Sequence, residues 1–432
     1  MALMAGVSKT GVDAAGGGVV GAHGAAGTSG PIGARRISAR RDAAHVNHGL
    51  LHRGPVGIAM LAVAALMISS CARTASATHT HGESHLGASA VSSARGRVLP
   101  APQAPGPRPK ASELESVSCA STQSCVAVGI RAGGGALSFT TTDAGATWKQ
   151  GALPRGAGAL DSVQCMSSSR CVATGEGALL VSTDAGATWQ TAADPVPSAD
   201  LASVVCPTSQ VCIAAGLYAR ATTGTAAVII ESADGGETWH PSQAPVWAPG
   251  VVSLGCGSVD FCVAGGDVML VSYDAGASWQ ARTVIGGVLA APSALSCESA
   301  TACLAAGPNP AGVQDPSLAG VLISATSSAA PFSNLQLPRG TSGVSALSCV
   351  AATSVCFAAA PPRGSGASGI FLTSTTSGAT WSVLPLPGEL TAVSGLSCTT
   401  ATTCVLSGAT ATGAAVASTS DAGSAWNITS TT

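Results

Sequence analysis

Charge and aromatic rings are both scarce in this 432-residue chain: Asp, Glu, Lys and Arg make up 9% of it, and Phe, Tyr and Trp 3%. Basic residues are rarest where the chain is most regular. Residues 111–432 hold eight Lys/Arg against eighteen Asp/Glu. A nucleic-acid-binding face needs clustered Lys and Arg, so that class of function is excluded. Long apolar runs are missing too, with one exception near residue 60. Outside it the composition is that of a soluble, small-residue, turn-rich chain.

Glycine and cysteine are plentiful, with 54 Gly and 15 Cys. Fourteen cysteines fall into close pairs: Cys119 and Cys125, Cys165 and Cys171, Cys206 and Cys212, Cys256 and Cys262, Cys297 and Cys303, Cys349 and Cys356, Cys398 and Cys404. The first members recur every 41 to 52 residues, the period of one four-stranded propeller blade. Within each unit an apolar-alternating strand ends at the first Cys, and a second strand starts at the other. Cysteines so spaced face each other across a hairpin, within disulfide range. Zinc is the rival reading; no companion His or Cys accompanies the pairs, so no metal is assigned. Disulfides require an oxidising compartment.

The second recurring element is a turn, Ser182-Thr183-Asp184-Ala185-Gly186-Ala187-Thr188-Trp189. Related copies carry Asp143, Asp234, Asp274 and Asp421. A sixth copy has Thr376 in place of Asp, and the fifth unit has neither Asp nor Trp between 324 and 332. The Asp side chain accepts turn amides, and the Gly supplies positive φ. The Trp is expected to open strand four and to bury its ring against its own blade.

This element resembles the Asp-box, or BNR repeat, of sialidase-like β-propellers. The resemblance covers residues 112–432 and implies an all-β, seven-bladed propeller of four-stranded antiparallel blades. It also implies that the boxes are structural and lie away from any active site. That superfamily includes photosystem II assembly-factor propellers, sortilin-type receptor domains and some glycoside hydrolases, so the element specifies fold and not activity.

The one apolar run, 56–68, follows His52 and Arg53 and ends in Ile68-Ser69-Ser70-Cys71. A basic flank, a short apolar core and small residues form an export-signal pattern over 52–71. The last four residues resemble a bacterial lipobox, in which the Cys is lipidated. Cys71 is also the one cysteine outside the seven pairs, and lipidation explains it. An uncleaved helix of marginal length is the alternative. Residues 1–51, Gly/Ala-rich and without periodicity, read as a disordered extension. Residues 72–111 read as a tether ending in Pro100, Pro102, Pro105, Pro107 and Pro109. His79, His81 and His85 belong to that polar linker rather than to a metal site.

Hairpins one-two and three-four share one face of a propeller. The opposite face carries the two-three loops and the links between blades, where binding usually resides. The variable segments there are 217–226, 240–250, 308–320, 336–343 and 361–369. Tyr218, Arg220 and Trp247 are the candidate contacts.

No catalytic residue is assigned. The Arg-Ile-Pro motif of sialidases is absent, and Tyr218 has no Glu nearby to make it a nucleophile. Asp161, Glu176, Asp200, Asp260, Asp267 and Asp315 are available, but nothing in the sequence pairs them as a glycosidase requires. The expectation is a monomeric, exported, lipid-anchored scaffold without cofactor, binding an envelope protein or glycan. The alternative is a sialidase-like glycoside hydrolase. Paired carboxylates in a central pocket on the loop face favour the hydrolase; an apolar or empty pocket favours the scaffold.

Overall fold

The computed structural model describes residues 112–431 except 221–223, 286–290, 309–319, 329, 340, 342 and 363–367. The signal, Cys71 and tether readings lie outside the described residues, as does Asp315. Seven antiparallel sheets follow one another along the chain, over 113–150, 160–191, 200–241, 253–282, 294–335, 346–385 and 390–430. These are the seven blades, and no helix interrupts them among the described residues. In six of them the strand order in space is the order in sequence, and every blade is drawn from one stretch of chain. Blade 5 gains a fifth strand, because Val284–Ile285 from the preceding link pairs in parallel with Phe332–Leu335.

The first strands line a central channel. Every cysteine pair forms a disulfide within its own blade. Cys119 bonds Cys125, Cys165 bonds Cys171, and Cys206 bonds Cys212. Cys256 bonds Cys262, Cys297 bonds Cys303, Cys349 bonds Cys356, and Cys398 bonds Cys404. The Cα–Cα distances lie between 3.8 Å and 4.1 Å. In six blades the two cysteines stand directly opposite each other in the ladder, as Cys262 does to Cys256, Cys303 to Cys297, Cys356 to Cys349 and Cys404 to Cys398. The bond ties the inner strand to its neighbour at the same level in every blade.

The strand ends differ from expectation in three blades. In blade 3 the inner strand stops at Val205, one residue before its Cys. In blades 4 and 5 the inner strand runs on two residues, to Ser258 and Ser299, and the second strand starts early, at Phe261 and Ala302. A register shift beyond Cys256 and Cys297 lets the ladder continue past the disulfide there.

Small side chains leave no thick core within a blade. The buried apolar side chains gather in seven clusters, one at each seam between neighbouring blades. The tryptophans that follow the Asp turns belong to these seams, which corrects the expectation that they pack on their own blade. Trp189 of blade 2 packs with Val126 and Val128 of blade 1, and its Nε1 donates to Ser138 Oγ at 2.9 Å. Trp239 and Trp279 take the same place at the next two seams. Trp148 packs with Val405 and Val416 of blade 7 and so belongs to the closing seam. Phe332 is buried at the seam of blades 4 and 5, where the fifth unit has no tryptophan. The outer strands also begin one residue after the Trp, as at Lys149–Gln150 and Gln190–Thr191.

The turns explain how the ring reaches across. In Asp184-Ala185-Gly186-Ala187 both central residues are left-handed, with φ of 60° and 80°. Ala187 N donates to Asp184 O at 3.3 Å, so this is a type I′ turn, which requires positive φ at both positions. The left-handed Ala was not expected. It is held because Ala185 N donates to Ser169 O at 2.7 Å, in the disulfide hairpin of the same blade. Gly186 is needed twice, since a Cβ there would also stand 2.9 Å from Val126 Cγ2 of blade 1.

Asp184 accepts from Thr188 N at 2.8 Å, Thr188 Oγ1 at 2.6 Å and Ser182 Oγ at 2.9 Å. The same arrangement around Asp143 pushes its pKa down to about 2, through the Thr147 hydroxyl first, then the Thr147 amide and Thr141. Asp184→Ala is expected to lower stability by about 1–2 kcal/mol, the scale of a lost side-chain cap. Thermal melting measures it, and ligand affinity should stay unchanged. Lost affinity at an unchanged melting temperature would place function on this face.

Serine hydroxyls stitch the inner strands together. Ser118 Oγ accepts from Cys165 N at 2.9 Å, and Ser162 Oγ from Val204 N at 3.1 Å. Ser203 Oγ accepts from Leu254 N at 3.0 Å, and Ser253 Oγ donates to Pro292 O at 2.6 Å. Ser296 and Ser348 continue the series to Cys349 N and Cys398 N. Ser397 Oγ accepts from Cys119 N at 3.0 Å and closes blade 7 on blade 1. The ring therefore closes through side chains, without exchange of a strand.

Candidate functional site

The channel encloses about 720 Å³ and is lined by the seven inner strands. Serine is the commonest residue in its wall. The charged side chains in the wall are Glu115, Asp161 and Glu298, and none is basic among the described residues. Glu298 sits near the disulfide end. Glu115 and Asp161 lie near the other end, because each inner strand starts on the loop face and runs towards its Cys.

Three consecutive inner strands bring the carboxylates together. Glu113 and Glu115 come from Glu113–Cys119, Asp161 from Leu160–Cys165 and Asp200 from Asp200–Val205. Glu176 joins from the two-three turn of blade 2, bridging to Asp200 through the backbone. Asp161 and Asp200, on neighbouring inner strands, act on each other's ionisation. Asp161 is pushed up to about 8, by burial first, then by the charges of Asp200 and Glu115. Asp200 is also raised, mainly by burial, with the Asp161 carboxyl opposing the rise and the Glu176 charge adding to it. Asp200 Oδ1 is buried with no protein donor against it. Glu115 is pushed up to about 7, by burial and then by Glu113. Ser394 of blade 7 opposes that rise. Its hydroxyl also donates to Glu113 Oε1 at 3.1 Å, and one proton serves one acceptor at a time. Neighbouring buried carboxylates cannot all ionise cheaply, which is what raises them.

Asp161, Glu176 and Asp200 were candidates in the sequence and Glu113 and Glu115 were not; neighbours along the chain do not reveal the pairing. The structure brings Asp161, Asp200 and Glu176 together, whereas Asp260 lies in a disulfide-face hairpin and Asp267 in the two-three turn of blade 4. No group of three or more His, Cys, Asp or Glu among the described residues has metal-binding geometry.

The aromatic candidates stand elsewhere on the loop face. The segment 217–226, expected as a loop, is a ladder: Cys212–Arg220 pairs with Gly224–Ser232 out to Arg220↔Gly224. Its β-branched and small residues extend the hairpin of blade 3 beyond those of its neighbours. Tyr218, near the tip, is 39% exposed. The Arg220 side chain lies outside the described residues. Trp247 is 61% exposed beside Val246 at 83%, in a turn where Ala248 N donates to Pro245 O. It is therefore not packed over a blade edge.

No family model matches the chain, and no curated protein does. Solved structures do. YCF48 bound to a D1 peptide is 14% identical, with a TM-score of 0.51 over 72% of this chain and 94% of that one. A GH74 xyloglucanase from Xanthomonas campestris is 17% identical, with a TM-score of 0.51 over 72% of this chain and 52% of the enzyme. An ancestral GH74 enzyme is 12% identical, with a TM-score of 0.51 over 74% of this chain and 45% of that one. The chain thus spans about half the length of the two enzymes. At these identities the likeness shows a shared propeller fold, and that fold hosts unrelated functions.

Proposed function

We propose that the protein is an exported, lipid-anchored propeller that acts as a non-catalytic binding scaffold in the cell envelope, and that its ligand is a basic peptide segment. In this reading 1–51 is an extension, 52–71 the export signal ending at Cys71, 72–111 the tether and 112–432 the binding domain. Seven disulfides support an oxidising compartment. The observation that carries the ligand class is the channel mouth, where acids of three blades crowd and no basic side chain lines the wall among the described residues. A partner Lys or Arg would relieve that repulsion. A peptide bound on the YCF48 propeller is compatible with this use of the fold.

The Asp161–Asp200 pair favours the second reading, a glycoside hydrolase, since a protonated acid near neutral pH is what such an enzyme needs. Such enzymes need a second carboxyl that stays ionised beside the raised acid, whereas Asp161, Asp200 and Glu115 are all raised together. The scaffold is therefore preferred.

Titration with a Lys/Ala-repeat peptide above pH 8 tests it. Binding should weaken with salt and fall at least tenfold in Glu115→Gln/Asp161→Asn. Release of reducing ends from a polysaccharide, lost in Asp161→Asn, would establish the hydrolase instead. For the anchor, Cys71→Ser should release the protein to the medium or leave an unprocessed precursor. Membrane attachment unchanged in that variant overturns the anchor.

A further inference from the structure

In blades 1 and 2 the inner strand carries a β-bulge close to the mouth, and the extra residue is an acid. The ladder steps over Glu115 between Leu114 and Ser116, and over Asp161 between Leu160 and Ser162. A bulge re-aims a side chain and leaves its residue unpaired. In blade 2, Asp161 and Ser162 together stand opposite Thr174. Ser162 looks towards blade 3, because its hydroxyl accepts from Val204 N there. Thr174 shares that side, since Val172, two residues before it, packs in the seam of blades 2 and 3. Thr174 is fully buried, and its hydroxyl has no partner among the described residues. An idle hydroxyl at such a place calls for a group to meet it.

Tyr218 stands across the same seam. Along Cys212–Arg220 the side chains alternate: Cys212 and Ala214 pack on blade 2, Ile213 and Ala215 on blade 4. Leu217 keeps to the blade 4 side, where a Cβ on Gly250 would meet its own Cβ at 3.3 Å. Tyr218 therefore turns its half-exposed ring to blade 2. One backbone row joins the parts, for Glu176 pairs with Asp200 and Asp200 with Leu217. Two strand spacings place Leu217, and Tyr218 next to it, about 10 Å from Glu176 with Asp200 between. Ring, carboxylates and idle hydroxyl thus border one cleft on the loop face.

We propose that this cleft between blades 2 and 3 is the cation seat of the mouth and that it selects arginine over lysine, with the guanidinium stacked on the Tyr218 ring and its N–H groups turned to the carboxylates. The inference rests on the basic-peptide reading above and names the residue which that site selects. A guanidinium is flat and carries its five donors in one plane, so it can lie on a ring and still serve acceptors on several strands. It is also less strongly hydrated than an ammonium, which eases entry into a half-enclosed site. An ammonium is a compact point charge that holds its water more tightly.

The test titrates Arg/Ala-repeat and Lys/Ala-repeat peptides of equal length above pH 8, at one salt concentration. The unaltered chain should bind the arginine peptide about fivefold more tightly, the scale of one ring contact. Tyr218→Phe keeps the ring and should keep this preference. Tyr218→Leu keeps apolar bulk without a ring and should lose it. A preference that survives in Tyr218→Leu, or equal binding of both peptides by the unaltered chain, overturns the stacking and leaves the basic-peptide reading standing. No binding of either peptide removes both. A second readout does not depend on affinity. On binding to the unaltered chain or to Tyr218→Phe, the side-chain protons of the arginine should shift upfield in the NMR spectrum, as they do above an aromatic ring. An arginine that binds without this shift overturns the proposal, and so does a shift that persists in Tyr218→Leu, which would put the guanidinium on another ring.

Discussion

Full reduction is expected to unfold the propeller at room temperature. Each disulfide closes a loop of six or seven residues, which contributes about 2 kcal/mol in the chain-entropy account. Seven of them contribute about 15 kcal/mol, against a net stability of about 5–15 kcal/mol for an ordinary domain. The seams offer little to fall back on. Their clusters are rich in Ala and Val, with one large ring each at most seams. Far-UV circular dichroism with a thiol count measures the effect. Replacing one pair, Cys165 and Cys171, by Ser should lower stability by about 2 kcal/mol, and the other pairs should behave alike because their loops match. A fully reduced chain that still melts cooperatively within a few degrees of the oxidised one would sink this account.

Stability should also fall as pH rises from 5 to 8.5, in contrast to proteins that are stabilised as their carboxylates ionise. Asp161 and Glu115 have folded pKa values near 8 and 7, above the unfolded values of about 4. The folded state therefore binds more protons between those limits. The stability that these groups contribute is complete below about pH 4 and is lost as pH climbs through 7 and 8. Linkage gives a loss of about 2–4 kcal/mol across the window, after discounting for solvent that reaches the mouth. The turn carboxylates do not interfere, since Asp143 and its counterparts are pushed down and titrate below it. Asp161→Asn fixes the neutral state, so its stability curve should be flatter and should exceed the wild type at pH 8.5. Urea denaturation at pH 5 and 8.5 reads both. A wild-type curve that is level or rising over this range would falsify the assignment.

What the sequence makes legible is what repeats locally. The cysteine pairs and Asp-Gly turns lie within one hairpin, so their spacing alone places them. The seams are another matter. Trp189 reads as a residue of its own blade until Ser138, 51 positions earlier, is found against its Nε1. Phe332 shows no motif, because a seam asks only for a large apolar ring and not for a particular neighbour in sequence. The acidic mouth was open to a sharper reading. Aligned on the first Cys, Glu115 and Asp161 both stand four residues before it, and Glu113 and Asp200 six before it. Blades 4 to 7 have no acid at either place. Repeat columns, rather than neighbours along the chain, held that signal. The hairpin at 217–226 was hidden for a different reason: strand residues such as Leu217, Tyr218 and Ala226 look like any variable loop when its length departs from the repeat.

Because each blade is drawn from a single run of chain, and the ring closes through Ser397, Cys119 and the Trp148 cluster, no seam is privileged by connectivity. The order in which the blades are synthesised is then incidental to the finished molecule. A gene rearranged to start at Leu160–Cys165, with residue 431 joined to 112 by a link like the one between blades 1 and 2, encodes the same seven contacts in a circularly permuted order. The severed link would become the new pair of termini, and the old ones an ordinary crossing. Such rearrangements, and the gain or loss of whole repeats by duplication, cost this architecture less than one whose last blade borrows its outer strand from the opposite end of the chain.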